Sequence, residues 1–425
     1  MRNLLVLHVA ALGYDLLQAC EIKHLAGLPI QRLTTVFPAV TCTAQATLRT
    51  ALPPEAHGMM ANGFYDPHTR QAHFWNQSAA LVKGPRIWEA FRAQGGRVGM
   101  YFFQQSLGES VDEIVSPAPI HAHGGKLIMA TYSQPPELLN GKNPVKLWQY
   151  WGPLASKKVG RDIVKLLTER LEAGNAPELL LAYLPSLDYD LQRLGVSYGL
   201  KTCGMRHPNI TSAVKETVEQ IEQVAKVAQQ KGYELLICGD YAITDVNGSV
   251  AYPNRILRAA GLFQTRTVKG MLYPDFHRST AFALCDHQVI LLYAQGEAQQ
   301  KARELLEALP EVDAFATQVY GDTLVFTAKS GCWFAYPWWE KPSEAPDYAT
   351  HVDIHNKPGF DPCELHFGKT PFQCSTDTKK IYGTHGRNEA PVAYAASLNF
   401  SADTLLQLAE QLQKWLSHDQ STLRI

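Results

Sequence analysis

The chain has 425 residues, 46% apolar and 19% charged, with a formal net charge of −1. That composition supports a large globular core, and the near-zero charge removes the electrostatic case for a nucleic-acid polymer or an anionic membrane as partner. The eight cysteines, at 20, 42, 203, 238, 285, 332, 363 and 374, are scattered without a C-x-x-C, so they read as reduced core residues of a cytoplasmic protein rather than a disulfide framework.

In chain order, the apolar run Leu4–Val9, followed by Gly13, has the composition of a central parallel strand. As a signal peptide it is too short, is interrupted by His8 and runs into Asp15 and Glu21. No apolar run reaches the length of about 18 residues that a membrane span needs. The stretch Thr34–Asp66 comes next. It opens with the bend Val36-Phe37-Pro38, continues through Thr41-Cys42-Thr43-Ala44-Gln45-Ala46-Thr47 and closes with Pro53-Pro54-Glu55-Ala56-His57-Gly58. Small residues after a proline bend start a helix, and a threonine at that start sits where N–H groups and the helix dipole favour an anion. A hydroxyl held there attacks phosphorus once its pKa is lowered.

Residues 64–81 read as a loop or short hairpin, 88–94 as a helix stopped by Gly95-Gly96, and 98–103 as a strand. The stretch 116–152, rich in Pro, Gly and aromatics, is a long excursion of the kind that often carries function. Within it His121-Ala122-His123-Gly124-Gly125-Lys126 lacks phosphate-loop spacing. Helical and strand patterns then alternate: helix 158–173, strand 179–184, helix 211–230, strand 233–238. This alternation predicts an α/β protein with a mainly parallel sheet, whose ligands bind beyond the carboxyl ends of the strands. From Ser279 the rhythm changes to strand 281–293, helix 298–309 and strand 314–326, a small β-α-β cap. The predicted organisation is a core of 1–275 and 340–425 with an inserted cap at 276–339. Asp286-His287 falls in that cap and is left outside the core site. Trp338-Trp339 follows as a candidate platform for a flat group. The last helix, 402–416, has Leu405, Leu408, Leu412 and Trp415 at helical spacing, with Ser401 as the expected N-cap.

Two strand ends carry carboxylates: Asp188 and Asp190 after 179–184, and Asp240 after 233–238. Such positions suit a divalent cation, and equally suit solvated loop carboxylates. His385 lies between Gly383 and Gly386. There is no G-x-S-x-G and no G-x-G-x-x-G, so serine esterase and dinucleotide chemistry have no support.

The stretch from Thr34 to Tyr65 resembles the nucleophile segment of the type I phosphodiesterase/nucleotide pyrophosphatase family, in the alkaline phosphatase superfamily. That family reads T-F-P-N-H-Y-x-x-x-T-G-x-x-P-x-x-H-G-I-x-x-N. The resemblance implies an alkaline-phosphatase-like fold, with Thr41 as nucleophile, Thr43 as its rival if the segment slips by two residues, and Asn62 as a phosphoryl contact. Three later motifs keep the family's order. Asp188 and Gly195 match D-x-x-G-H-x-x-G, with Gln192 at the histidine. Asp240 matches D-H-G, with Tyr241 at the histidine, and His385 matches the last ligand segment. At the first strand, Val9-Ala10-Ala11-Leu12 has alanine where the family has the aspartate of V-D-G-L.

The implied metal ligands are Thr41, Asp188, Asp240 and His385, holding one or two divalent ions, Zn2+ first and Mn2+ as the alternative. Substitute ligands for the altered positions are His8, Gln192, Tyr241, Asp353 and His355. The implied activity is metal-dependent hydrolysis of phosphodiester or pyrophosphate bonds through a phosphothreonine. Its rivals are a phosphomonoesterase or phosphonate hydrolase of the same superfamily, and a metal-depleted binding or accessory protein. The implied partner is a small phosphorylated substrate, a nucleotide among the candidates, with no nucleic-acid polymer and no membrane.

Overall fold

The buried apolar runs form strands as their composition predicts. The computed structural model describes residues 2–118, 120–121, 123, 127–128, 130–140, 144, 155–197, 208–313, 318–320, 323–350, 365–367 and 374–418. The chain divides into two units, one of Met1–Met59, Gln77–Ile243 and Asn388–Ile425, the other of Met60–Asn76 and Thr244–Arg387. The insertion expected at 276–339 lies inside the second.

The first unit is built on an eight-stranded sheet. Its strands are β1 (Asn3–Val9), β2 (Gln31–Leu33), β3 (Val98–Tyr101), β4 (Glu113–Pro117), β5 (Thr131–Gln134), β6 (Leu179–Leu184), β7 (Tyr233–Gly239) and β8 (Val392–Ala396). Across the sheet they run β5-β4-β3-β6-β1-β7-β8-β2. From β4 to β7 every pairing is parallel, while β5, at one edge, and β8 are antiparallel to their neighbours. All six residues of β6 are buried, as expected of a central parallel strand covered on both faces. Its longer helices are α1 (Thr41–Thr50), α2 (Ala155–Glu172), α3 (Ser186–Leu194), α4 (Pro208–Gln230) and α5 (Leu405–Ser417). α2, α3 and α4 pack on one another, α4 on β7, and α5 on α1. The N-cap of α5 is Thr404 rather than Ser401. Thr404 and Gln407 each accept from the other's backbone N–H, a reciprocal box that Ser401, three residues earlier, cannot make with this helix. Among the described residues no helix is long and apolar enough to cross a membrane.

The second unit holds a four-stranded antiparallel sheet of Ala281–Asp286, Val289–Ala294, Thr323–Thr327 and Gln318–Tyr320, in that order. The single strand expected over 281–293 is therefore two, with a tight turn at His287, whose backbone takes the left-handed φ of 56°. Trp338 and Trp339 are core residues here, 1% and 5% exposed. Trp338 packs edge-on to Trp339, Phe263 and Tyr336, and donates its indole N–H to Leu272 O at 3.0 Å. A platform for a flat ligand needs an open ring face, and these rings are enclosed by one another.

Candidate active site

Three carboxyl ends lie side by side in the sheet, since β1 pairs with β6 on one side and β7 on the other. Past them stand Ala10 and Ala11, the α3 residues Asp188 and Gln192, and Asp240 with Tyr241. Thr41 is the first residue of α1, after the extended N-cap Val40. All ten residues of that helix are buried. Its first internal hydrogen bond runs from Ala44 N–H to Val40 O, so the N–H groups of Thr41, Cys42 and Thr43 are outside the helical ladder.

The Thr41 hydroxyl lies 3.3 Å from the Tyr183 phenol, which donates to Asp240 Oδ2 at 3.1 Å. Asp240 Oδ1 accepts the backbone N–H of Tyr241 at 2.8 Å and of Ala11 at 3.1 Å. Ala11 reaches it by adopting a left-handed φ of 57°. Thr35 donates its hydroxyl to the Asp240 carbonyl. Asp240 is fully buried, and burial pushes its carboxyl up to about 8 against the downward pull of those donors, with Asp188 adding repulsion. Burial and the same two carboxylates hold the Tyr183 and Tyr241 phenols well above their ordinary range, so both stay protonated donors. Thr41 is also a hydrogen-bond partner of Tyr241. Thr43 does not join this chain. Its hydroxyl is buried with no hydrogen-bond partner among the described residues.

His8 faces the same side of the sheet as its neighbour Tyr183. It is buried, its ring centroid 6.1 Å from that of Tyr183 and 5.9 Å from that of Phe103, and neither ring nitrogen has a partner among the described residues. His57, in the Pro54–Gly58 turn, accepts Met59 N–H on Nδ1 at 3.1 Å, which places its ring proton on Nε2 toward Thr47 Oγ1 at 2.9 Å. Burial takes both histidines from 6.5 down to about 3, with Arg49 adding to the effect at His57. The unfolded chain therefore binds protons that the folded one refuses. This contribution to stability is complete above pH 6.5 and is lost as pH falls toward 3. At about 1.4 kcal/mol per unit the two together are comparable with a typical total stability of about 5–15 kcal/mol. His8→Leu is expected to steady the fold at pH 7 by about 1–3 kcal/mol, by removing an unsatisfied buried polar ring, and to flatten its acid sensitivity. Urea unfolding at pH 7 and pH 4.5 measures both, and an unchanged pH dependence would refute the assignment.

Asn62 and His385 belong to the second unit. Asn62 is held by Asp286, whose Oδ2 accepts the Asn62 backbone N–H at 2.7 Å and whose Oδ1 accepts from Nδ2 at 3.2 Å. The His385 ring packs against that of His287, tilted by 36° with centroids 3.9 Å apart, and His287 Nε2 lies 3.8 Å from Asp286 Oδ1. Gly386, at φ 127°, brings the backbone so close to Gln288 that an added Cβ would sit 3.1 Å from its backbone nitrogen. Asp286 and His287, set aside on the sequence, thus stand with two residues that the motifs singled out. Asp353 and His355 lie outside the described residues.

The altered ligand positions carry other chemistry. Ala10 offers no donor side chain. Tyr241 stays a phenol. Gln192 donates Nε2 to Asp188 Oδ2 at 2.8 Å, one helical turn away, and brings no charge. The Asp240 carboxylate already serves three protein donors. Among the described residues, neither unit gathers three or more His, Cys, Asp or Glu side chains into a metal-binding group. Of the family's ligand positions, Asp188 and Asp240 in the first unit and His385 in the second keep residues able to hold a divalent ion.

Comparisons with known proteins place these features. The sequence matches the type I phosphodiesterase/nucleotide pyrophosphatase family over residues 4–361. No match was found among curated protein sequences. Among solved structures, murine ectonucleotide pyrophosphatase/phosphodiesterase 5 is 14% identical, with 98% of this chain and 96% of that one covered at a TM-score of 0.58. An inactive threonine-to-alanine variant of that protein, in complex with AMP, is 14% identical over 97% of this chain and 95% of its own, with a TM-score of 0.57. Phosphonoacetate hydrolase from Sinorhizobium meliloti 1021, in complex with phosphonoformate, is 14% identical over 98% and 96% of the two chains, with a TM-score of 0.55. These likenesses show a shared α/β fold. The chain belongs to the type I phosphodiesterase/nucleotide pyrophosphatase family, a family of hydrolytic enzymes.

Proposed function

We propose that the chain hydrolyses phosphodiester or pyrophosphate bonds of small molecules through a phosphothreonine at Thr41. The observation that carries this reading is the chain from Thr41 through Tyr183 to Asp240 at the N-terminus of α1. A phenol has one proton to donate. Above the raised Asp240 value of about 8 the carboxylate is ionised; Tyr183 then gives that proton to it, and the Tyr183 oxygen is left to accept from Thr41. The Thr41 proton is thereby aimed away from the side on which phosphorus approaches, and a lone pair is presented to it. The first N–H groups of α1 and the dipole behind them suit the phosphoryl oxygens.

In the first step Thr41 Oγ1 bonds to phosphorus as the bond from phosphorus to the leaving oxygen breaks. The Thr41 proton passes to Tyr183 as the Tyr183 proton passes to Asp240. The leaving oxygen takes a proton from a water, whose hydroxide then attacks phosphorus. The bond between phosphorus and Oγ1 breaks, and Oγ1 recovers its proton along the same chain in reverse.

The diester or pyrophosphate class is supported by the family and by the AMP held by the murine neighbour's inactive variant. Phosphonate hydrolysis is the second reading, favoured by the phosphonoformate and phosphonoacetate bound to the bacterial neighbour. Initial rates on bis-p-nitrophenyl phosphate, a nucleoside triphosphate, p-nitrophenyl phosphate and phosphonoacetate separate the two. Turnover of the first pair is expected. Turnover confined to phosphonoacetate would transfer the assignment to the second reading, and none on any compound would sink both in favour of a binding protein.

A further inference from the structure

The turn that joins Ala281–Asp286 to Val289–Ala294 carries a carboxylate that the sequence offered in an Asp-His pair and left outside the core site. Asp286 lies 224 positions from Asn62, is 2% exposed, and grips Asn62 at both its backbone N–H and its side-chain amide. A carboxylate only accepts hydrogen bonds. The nitrogen of the Asn62 amide must therefore face Asp286 and its oxygen must turn away, so both the amide flip and the rotamer are set. The grip is itself fastened. Asp286 pairs with Val289 across the hairpin, Phe334 N–H donates to His287 O at 2.8 Å, and Gln288 N–H donates to His385 O at 2.9 Å. The tilted contact of the His287 and His385 rings adds a further contact on the same turn.

We infer that Asp286 is a positioning residue for the Asn62 amide. By taking one hydrogen of Nδ2, it fixes the direction of the other, so that Asn62 presents a donor, and not its carbonyl oxygen, to a phosphoryl oxygen. This inference rests on the hydrolase reading above and on the phosphoryl contact that the family resemblance implies for Asn62. An amide free to flip would present donor and acceptor in turn, and an acceptor facing a phosphoryl oxygen repels it.

Two measurements test the inference, one on the clamp and one on its purpose. In protein labelled with 15N at asparagine, the side-chain NH2 signal missing from Asn62→Ala belongs to Asn62. Bonded to a buried carboxylate, that NH2 is expected to show widely separated proton shifts and slow exchange in the unmodified protein, a signature that requires no substitution at 286. Proton shifts at the values of a solvated asparagine amide, with fast exchange, would overturn the clamp, whether or not the chain turns over any compound offered.

The second measurement is a double-mutant cycle on kcat/KM. Asp286→Asn keeps the size of the side chain but sets a donor against the Asn62 donor, so the Asn62 amide flips. Both Asp286→Asn and Asn62→Ala are expected to lower kcat/KM by about a hundredfold, in the range of a lost oxyanion donor, with the double variant no worse than Asn62→Ala alone. Losses that multiply would overturn the positioning role, because Asp286 would then act other than through Asn62. An inactive unmodified protein that shows the clamp signature would count against the hydrolase assignment while supporting the clamp.

Discussion

Replacing Thr41 by alanine is expected to lower kcat/KM by about a thousandfold or more, the scale on which removal of a nucleophile acts. The fold should barely register the change. Alanine is a good helix former at the first position of α1, Tyr183 keeps its bond to Asp240, and the hydrogen bonds lost to Tyr183 and Tyr241 are worth about 0.5–1.5 kcal/mol each. Thr43→Ala makes the comparison sharp. Thr43 sits two residues along the same helix, equally buried, with its hydroxyl bonded to nothing among the described residues. Its loss is expected to leave turnover within a factor of about two, since no bond to the reacting chain is removed. Initial rates and thermal midpoints of the two variants decide between them. Full activity in Thr41→Ala with loss in Thr43→Ala would shift the nucleophile by two residues.

The second large effect is expected at Tyr183. Tyr183→Phe keeps the ring and the β6 packing but removes the hydroxyl between Thr41 and Asp240. Loss of a positioned proton-transfer group costs about 10²–10⁴-fold, and the loss should fall on kcat with KM held, because Tyr183 touches the nucleophile and not the substrate. Stability should fall by about 1–3 kcal/mol as well, because the buried Asp240 carboxylate loses its side-chain donor. Steady-state kinetics beside thermal unfolding separate the two effects. A stability loss with kcat unchanged would make Tyr183 a structural residue only.

Much of this arrangement was legible in the sequence. The continuous apolar runs at Leu4–Val9, Leu179–Leu184 and Tyr233–Cys238 became β1, β6 and β7, and Asp188 and Asp240 stand past their ends because polar groups are tolerated where a buried strand opens to the loop side. The buried helix that begins at Thr41 was legible because small residues follow Val36-Phe37-Pro38, while the choice of Thr41 over Thr43 came from the family resemblance. Tyr183 was hidden for a physical reason. It sits inside an apolar run, and its role comes from the register that sets β6 beside β1, with Asp240 past the end of β7, three elements far apart in sequence. Asp286 and His287 were noticed as a pair, but their place at a turn was hidden by periodicity. Phe282 to Tyr293 is apolar on either side of a short polar break, and only the left-handed backbone at His287 turns one apparent strand into two and puts Asp286 at the tip. The long reach from Asp286 to Asn62 has no local signature at all. Trp338-Trp339 shows the opposite error, an aromatic pair whose chemistry suits a ligand but whose neighbours make it core.

The most direct test of a phosphothreonine at Thr41 is to trap it. The protein is mixed with its best substrate from the panel, quenched in acid during turnover, digested and examined by mass spectrometry. A phosphoryl group on Thr41, absent without substrate and absent in Thr41→Ala, is the predicted result. A phosphoryl group on Thr43, or turnover that proceeds with Thr41 unmodified at every quench time and persists in Thr41→Ala, would contradict it.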